Sequence, residues 1–273
     1  MIGFAESFLS WSAATIIPAF VGLLLIVLAG NLVKARYLAA FTLGLFLWFF
    51  VDTIGGAASL DVVDAFSAST VQIATVGLFI VGVVVVFALD RNRNVFSPQA
   101  AVGKYGLAIP FLVAVSVGIH GLGEGAGFGA LAAQTTSTNL LDAFAGPAGG
   151  GLNAVVAYVL HKGLEPMMIG ACYCVYARDH AKTASGRLTD LLLLTFPFVI
   201  TSLVGAVAGY YLAPNIVYFF ALGTGTSIYA GLRIAGPLFD PTMPTGSKES
   251  VKIAILIVVG VLALYIASLF HSG

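Results

Sequence analysis

The chain has 273 residues, with twelve lysines and arginines against twelve aspartates and glutamates and a formal net charge of zero. Only 9% of it is charged and 59% is hydrophobic, with a mean hydropathy of +1.03. Soluble domains carry about a quarter charged residues, so this chain cannot cover a water-facing surface, and its zero balance leaves no electrostatic footprint for nucleic acid.

Apolar runs long enough to cross a bilayer recur along the chain, and the short alternating segments of a membrane β-barrel are absent. The expected fold is an all-α polytopic membrane protein, one membrane domain over residues 1–273 with eight spans. The opening "MIGFAESFLSWS" has no basic segment ahead of its apolar run, so span one (13–33) is expected to be a retained helix rather than a cleaved signal. Lys34 and Arg36 separate it from span two (37–58), and Asp61 and Asp64 lie between that and span three (70–90). Arg91, Arg93 and Lys104 precede span four (105–132), and Asp142 lies before span five (151–177). Arg178, Lys182 and Arg187 then lead into span six (188–212). Pro214 and Asn215 punctuate the passage to span seven (215–238), and Lys248 and Lys252 precede span eight (250–270). Every second connection is basic and the others carry no lysine or arginine, which is the alternation the positive-inside rule demands of an even number of spans. Both termini are therefore expected outside, with the basic loops in the cytoplasm of a plasma or inner membrane. Cys172 and Cys174 share one apolar run and do not read as a disulfide framework.

Spans four and five contain groups that do not belong in lipid. "GIHGLGEGAGFG" carries His120 and Glu124, and "VLHKGLEPMMIGACY" carries His161 and Glu165, with Lys162 beside them. A charged side chain at the centre of a membrane helix costs roughly 2.5–3.5 kcal/mol on insertion scales, so such groups face a bundle interior and one another. Residues four apart share a helix face. Two identical His/Glu pairs on neighbouring antiparallel helices offer two imidazoles and two carboxylates to one point, a donor set for zinc, iron(II) or manganese(II). A purely structural hydrogen-bond network is the competing explanation, and the doubling of the spacing argues against it. The glycines at 118, 121, 123, 125, 127 and 129 and Pro166 weaken both helices beside these residues, so both are expected to be interrupted as in transporters, or to pack closely on neighbours. His161, Glu165, Met168 and Cys172 recur on one face, which makes the two sulfur groups a possible conduit for a borderline metal, or simply core fillers. Asp52 is expected near the outer end of span two, attracting cations or capping the interface. Arg233 is expected to snorkel to the membrane surface.

At "HGLGEG" and "HKGLEP" the sequence resembles the ZIP (Zrt/Irt-like) family of divalent metal transporters, which carries an HSxxEG- or HNxxEG-type motif on its fourth helix and HxxxE on its fifth. "LAAFTLGLFLWFFVD" is similar to that family's second helix and "ALGTGTSIYAGLRIAGP", with Tyr229 and Pro237, to its seventh. The resemblance implies eight spans in a 3+2+3 arrangement with inverted repeats, and His120, Glu124, His161 and Glu165 as ligands of a mid-membrane metal site. The family's second, adjacent site uses an asparagine after the first histidine and an acid after the second. Gly121 and Lys162 stand there in this chain, which implies a single ion, with Lys162 compensating the charge of Glu165. Ile234 follows Arg233 where the family has an acid on helix seven, and helix six shows no counterpart of the family's acid or histidine.

The function expected is transport of a divalent transition-metal cation toward the cytoplasm, zinc before iron or manganese, by a protein that is not an enzyme. Its partners would be the cation and the lipid bilayer, without nucleic acid, and a homodimer is compatible. The alternatives are an intramembrane metal-dependent hydrolase, for which no HExxH motif or nucleophile elbow is present, and a metal-binding membrane protein that does not transport.

Overall fold

The computed structural model describes residues 2–30, 32–57, 70–91, 107–134, 151–180, 183–238 and 246–268. Among them the chain forms eight long helices: α1 (Phe4–Gly30), α2 (Ala35–Ala57), α3 (Thr70–Arg91), α4 (Ala108–Gln134), α5 (Gly151–Asp179), α6 (Ala184–Leu212), α7 (Val217–Ala235) and α8 (Ser247–Ser268). A 3-10 turn, Gly236–Leu238, follows α7. Arg93, Lys104, Asp61, Asp64, Asp142, Lys182 and His271 lie outside the described residues.

The expected spans and the helices agree within a few residues except at the start of α1, which begins at Phe4 rather than near residue 13. Its first turns mix polar and apolar residues and are held by tertiary contacts. Tyr210 donates from its hydroxyl to the Ile2 carbonyl (3.0 Å), and Phe4 packs on Tyr210 and Tyr211 at ring distances of 5.3 and 5.0 Å. Hydropathy registers oil and misses such a segment.

Six helices (α1, α2, α3, α4, α6 and α8) are long and apolar enough to cross a membrane. α5 holds His161, Lys162 and Glu165, and α7 is shorter and bears Arg233 and a run of glycine, threonine and serine, so both are more polar. The bundle's polarity is distributed as lipid requires. Leu24, Leu28, Ile80, Val84, Leu193, Phe196, Val258 and Leu262 face outward, while His120, His161, Lys162, Glu165 and a set of hydroxyls are buried. Those hydroxyls close on their own helices: Thr42, Thr53 and Ser116 donate to the carbonyls of Leu38, Phe49 and Leu112 at 2.8, 2.7 and 2.9 Å. Without water, this is how a buried hydroxyl avoids an unmet hydrogen bond.

Helix α4 packs along α6 and α1 along α5; α2 packs along α8 and α3 along α7. These pairs meet where α2 touches α7 and α5 and where α4 touches α7. Glycines set the separations. A Cβ on Gly209 would fall 2.0 Å from the Ala126 carbonyl oxygen, one on Gly125 2.3 Å from that of Ser202, and one on Gly22 1.8 Å from that of Gly163. The same holds for Gly44 against Ile257 (2.0 Å) and Gly225 against Phe79 (2.1 Å). Backbones approaching this closely draw their attraction from dispersion, since lipid supplies no hydrophobic drive between helices.

Of the two expectations for the site helices, interruption and close packing, the structure shows close packing. Both α4 and α5 run unbroken through their glycines and through Pro166. Helix-weakening residues inside a packed bundle are held helical by their neighbours, and the glycines of α4 serve close contact with α6 and α7 instead.

Candidate metal centre

His120 and Glu124 project from one face of α4, and His161 and Glu165 from the facing side of α5, because each pair is separated by a little more than one helical turn. One donor atom from each of the four lies within 4.8 Å of all the others. His120 Nε2 is 3.5 Å from Glu124 Oε1 and 3.5 Å from Glu165 Oε1, and His161 Nε2 is 3.9 and 3.4 Å from the same two oxygens. A tetrahedral divalent ion with bonds of about 2.0–2.2 Å holds its ligand atoms roughly 3.3–3.6 Å apart. These separations match that polyhedron better than the 2.7–3.2 Å of ordinary N–H···O hydrogen bonds. Neither ring nitrogen of His120 nor Oε1 of Glu165 makes a hydrogen bond, though all are buried. Leaving such groups unmet costs about 1–3 kcal/mol each, and a shared cation would satisfy Nε2 and Oε1 together.

The second oxygens of the glutamates face elsewhere. Lys162 is fully buried and donates from Nζ to Glu165 Oε2 at 2.6 Å, and also to Glu124 Oε2. The expected pairing with Glu165 is thus one half of a bridge between the helices. Each carboxylate divides its oxygens, Oε1 to the imidazoles and Oε2 to the ammonium. The ammonium also sits over the rings of Tyr158 (5.7 Å) and Phe198 (5.8 Å), so it is desolvated on aromatic faces. Phe49 meets His120 edge-on at 4.8 Å and Phe220 approaches it at 5.4 Å, which limits the imidazole's freedom to rotate.

Asp52 lies beside the four expected ligands. It reaches from α2 into the centre, with Oδ2 3.5 Å from His120 Nε2 and 4.0 Å from His161 Nε2. Its side chain is 32% exposed, against 10% for Glu124 and at most 2% for His120, His161, Glu165 and Lys162. A hydropathy window places Asp52 by its distance along α2 and says nothing of which side chains of other helices it meets. A Cβ on Gly223 of α7 would meet Thr53 of α2 and the backbone of His120 at ordinary contact distance, so α7 lies between the two.

Met168 and Cys172 keep their places on the His161/Glu165 face of α5 and are fully buried in the main apolar core. Arg233 does not simply snorkel. Its Nε lies 2.9 Å from Asp90 Oδ2, which also accepts from the Tyr229 hydroxyl at 2.6 Å, joining α7 to α3. Sequence reading passed over Asp90, although an acid one turn from Arg233's level in a paired helix is a detectable signal once the pairing is known. Two further ties lie at the same end of the bundle: Arg36 with Glu249 at 3.7 Å and the Tyr173 hydroxyl donating to Asp190 at 3.0 Å. On the other side of the centre, Trp11 stacks on Phe128 (4.8 Å), meets Tyr158 at a tilt (5.2 Å) and donates from Nε1 to Ser202.

Fold and site together define a multi-helix protein of membrane type with a buried His/Glu group able to bind a metal. No family model matches the chain, and no curated protein matches it.

Proposed function

We propose that this protein carries a divalent transition-metal cation across a membrane toward the cytoplasm, as a member of the ZIP type its helix-four and helix-five motifs resemble. The observation that carries the reading is the convergence of two imidazoles and two carboxylates, from two neighbouring helices, to within 4.8 Å. A structural network would bring His120 Nε2 into a direct hydrogen bond with one of these carboxylates. Here the polar atoms stand at ligand–ligand spacing, and Lys162 takes up only the glutamate oxygens that point away from the histidines.

In this reading all eight helices span, including the more polar α5 and α7, with both termini outside. The packing supports an inverted repeat. Exchanging α1 with α6, α2 with α7, α3 with α8 and α4 with α5 converts the α1/α5 contact into α6/α4, α2/α8 into α7/α3 and α2/α5 into α7/α4, all of which exist. Lys162 supplies a fixed positive charge where a second ion would otherwise sit, so one ion binds at a time. Zinc, iron(II) and manganese(II) all suit the donor set.

The test is metal uptake by proteoliposomes containing the purified protein, with His161→Ala and Glu165→Ala as variants. Loss of uptake together with loss of binding supports a carrier. Wild-type binding without uptake would leave a metal-binding membrane protein that does not transport.

A further inference from the structure

We propose that Asp52 is a fifth ligand of the centre and the residue that sets its metal preference, turning a tetrahedral N2O2 zinc-type site into an N2O3 site for ions of higher coordination number. This inference rests on the metal reading above and adds a third helix to the site.

Three observations carry it. The first is distance. Oδ2 of Asp52 stands 3.5 and 4.0 Å from the two histidine nitrogens, inside the 4.8 Å within which the four inner donors lie of one another. Five donors at about 2.1 Å from one ion lie roughly 3.0–4.2 Å apart, and both Asp52–histidine distances fall in that range.

The second is charge. Glu124, Glu165 and Asp52 bring three negative charges against the single ammonium of Lys162, and one divalent ion cancels the remainder. Without Asp52, an ion beside Lys162 would leave a net positive charge among largely buried groups, which is costly.

The third is exposure. Asp52 is the one carboxylate of the three that is substantially open to the surroundings, and it stands directly before the otherwise unbonded Nε2 of His120. An arriving ion therefore meets Asp52 before it reaches the inner donors, and a departing one leaves it last on that side.

Two nitrogens with three carboxylate oxygens are a harder set than two with two. Carboxylates favour manganese(II), and five or six coordination suits manganese(II), iron(II) and cobalt(II) better than zinc, which is content with four. Asp52 thus raises affinity for manganese(II) more than for zinc.

Cobalt(II) provides the probe, because four-coordinate tetrahedral cobalt absorbs visible light much more intensely than five- or six-coordinate cobalt. The full chain in detergent or nanodiscs is titrated with cobalt(II), manganese(II) and zinc(II), and compared with Asp52→Asn, which keeps shape and loses charge. The expected result is weak cobalt bands for the wild type, intense tetrahedral bands for Asp52→Asn, and manganese(II) affinity falling roughly 10–100-fold with a clearly smaller fall for zinc(II). Should Asp52→Asn misfold, Asp52→Ala takes its place, with the same expected change from weak to intense tetrahedral bands. Cobalt bands identical in wild type and Asp52→Asn, or equal losses for manganese and zinc, overturn the assignment while leaving the four-ligand centre standing. A wild type that binds none of the three ions overturns both.

Discussion

Replacing Lys162 by methionine keeps an unbranched apolar stem one atom shorter and removes the charge. In the structure its ammonium is fully buried and bonded to Glu165 Oε2 at 2.6 Å and to Glu124, so the variant leaves two carboxylates facing each other across its former position. Removing one partner of a buried ion pair destabilises by about 3–5 kcal/mol, because the remaining charge is uncompensated. For a chain of this size that lowers the melting temperature by on the order of 10 °C. A divalent ion bound through the Oε1 atoms restores positive charge near the same carboxylates. Linkage at a hundredfold excess over Kd stabilises any binder by about 2.7 kcal/mol, and at one fixed ion concentration the increment is expected to be larger in Lys162→Met than in the wild type. The assay is thermal unfolding of detergent-solubilised protein, first with chelator and then with zinc(II) or manganese(II). A variant that melts with the wild type in chelator would refute the bridging role of Lys162. Equal metal increments in the two proteins would refute the idea that ion and ammonium serve the same carboxylates.

Gly209→Ala should lower thermal stability by about 1–3 kcal/mol through overpacking, since its new Cβ would fall 2.0 Å from the Ala126 carbonyl oxygen, whereas Gly77→Ala, which meets nothing within 4 Å, should be neutral or stabilising by up to about 1 kcal/mol. Ala213, in the left-handed region with φ 43° at the end of α6, should gain about 1 kcal/mol on replacement by glycine, read as a higher melting temperature. A double-mutant cycle of Asp90→Asn and Arg233→Gln should give a coupling of about 1 kcal/mol or less, because Arg233 is 37% exposed. The proposed topology predicts that cysteine at Leu32 is labelled by a membrane-impermeant thiol reagent from the cytoplasmic side and cysteine at Leu212 from the outer side. Buried Cys172 and Cys174 should stay unreactive.

Much of the molecule was legible before any coordinates. Helix positions follow from apolar run length because in lipid the backbone must satisfy itself, and the structure's helices start and stop near the expected places. The start of α1 escaped because its first turns are held by α6 rather than by hydropathy. The inner donors were legible because His120/Glu124 and His161/Glu165 repeat one spacing, and local helix geometry fixes which face such a pair occupies. The choice between broken and closely packed α4 and α5 was not legible: glycine and proline propensities describe isolated helices, while close packing on α6 and α1 decides the outcome here.

The sequence alone determined which side chains are expensive to bury and how they repeat along each helix, because both depend on covalent identity and on one helical period. Only the tertiary structure decided that Asp52 from α2 stands 3.5 Å from His120, that Lys162 bridges both glutamates and that Asp90 holds Arg233. Those relations join residues on different helices, and their distances depend on how closely glycine-faced backbones approach and at what angle they cross, which no one-dimensional pattern encodes.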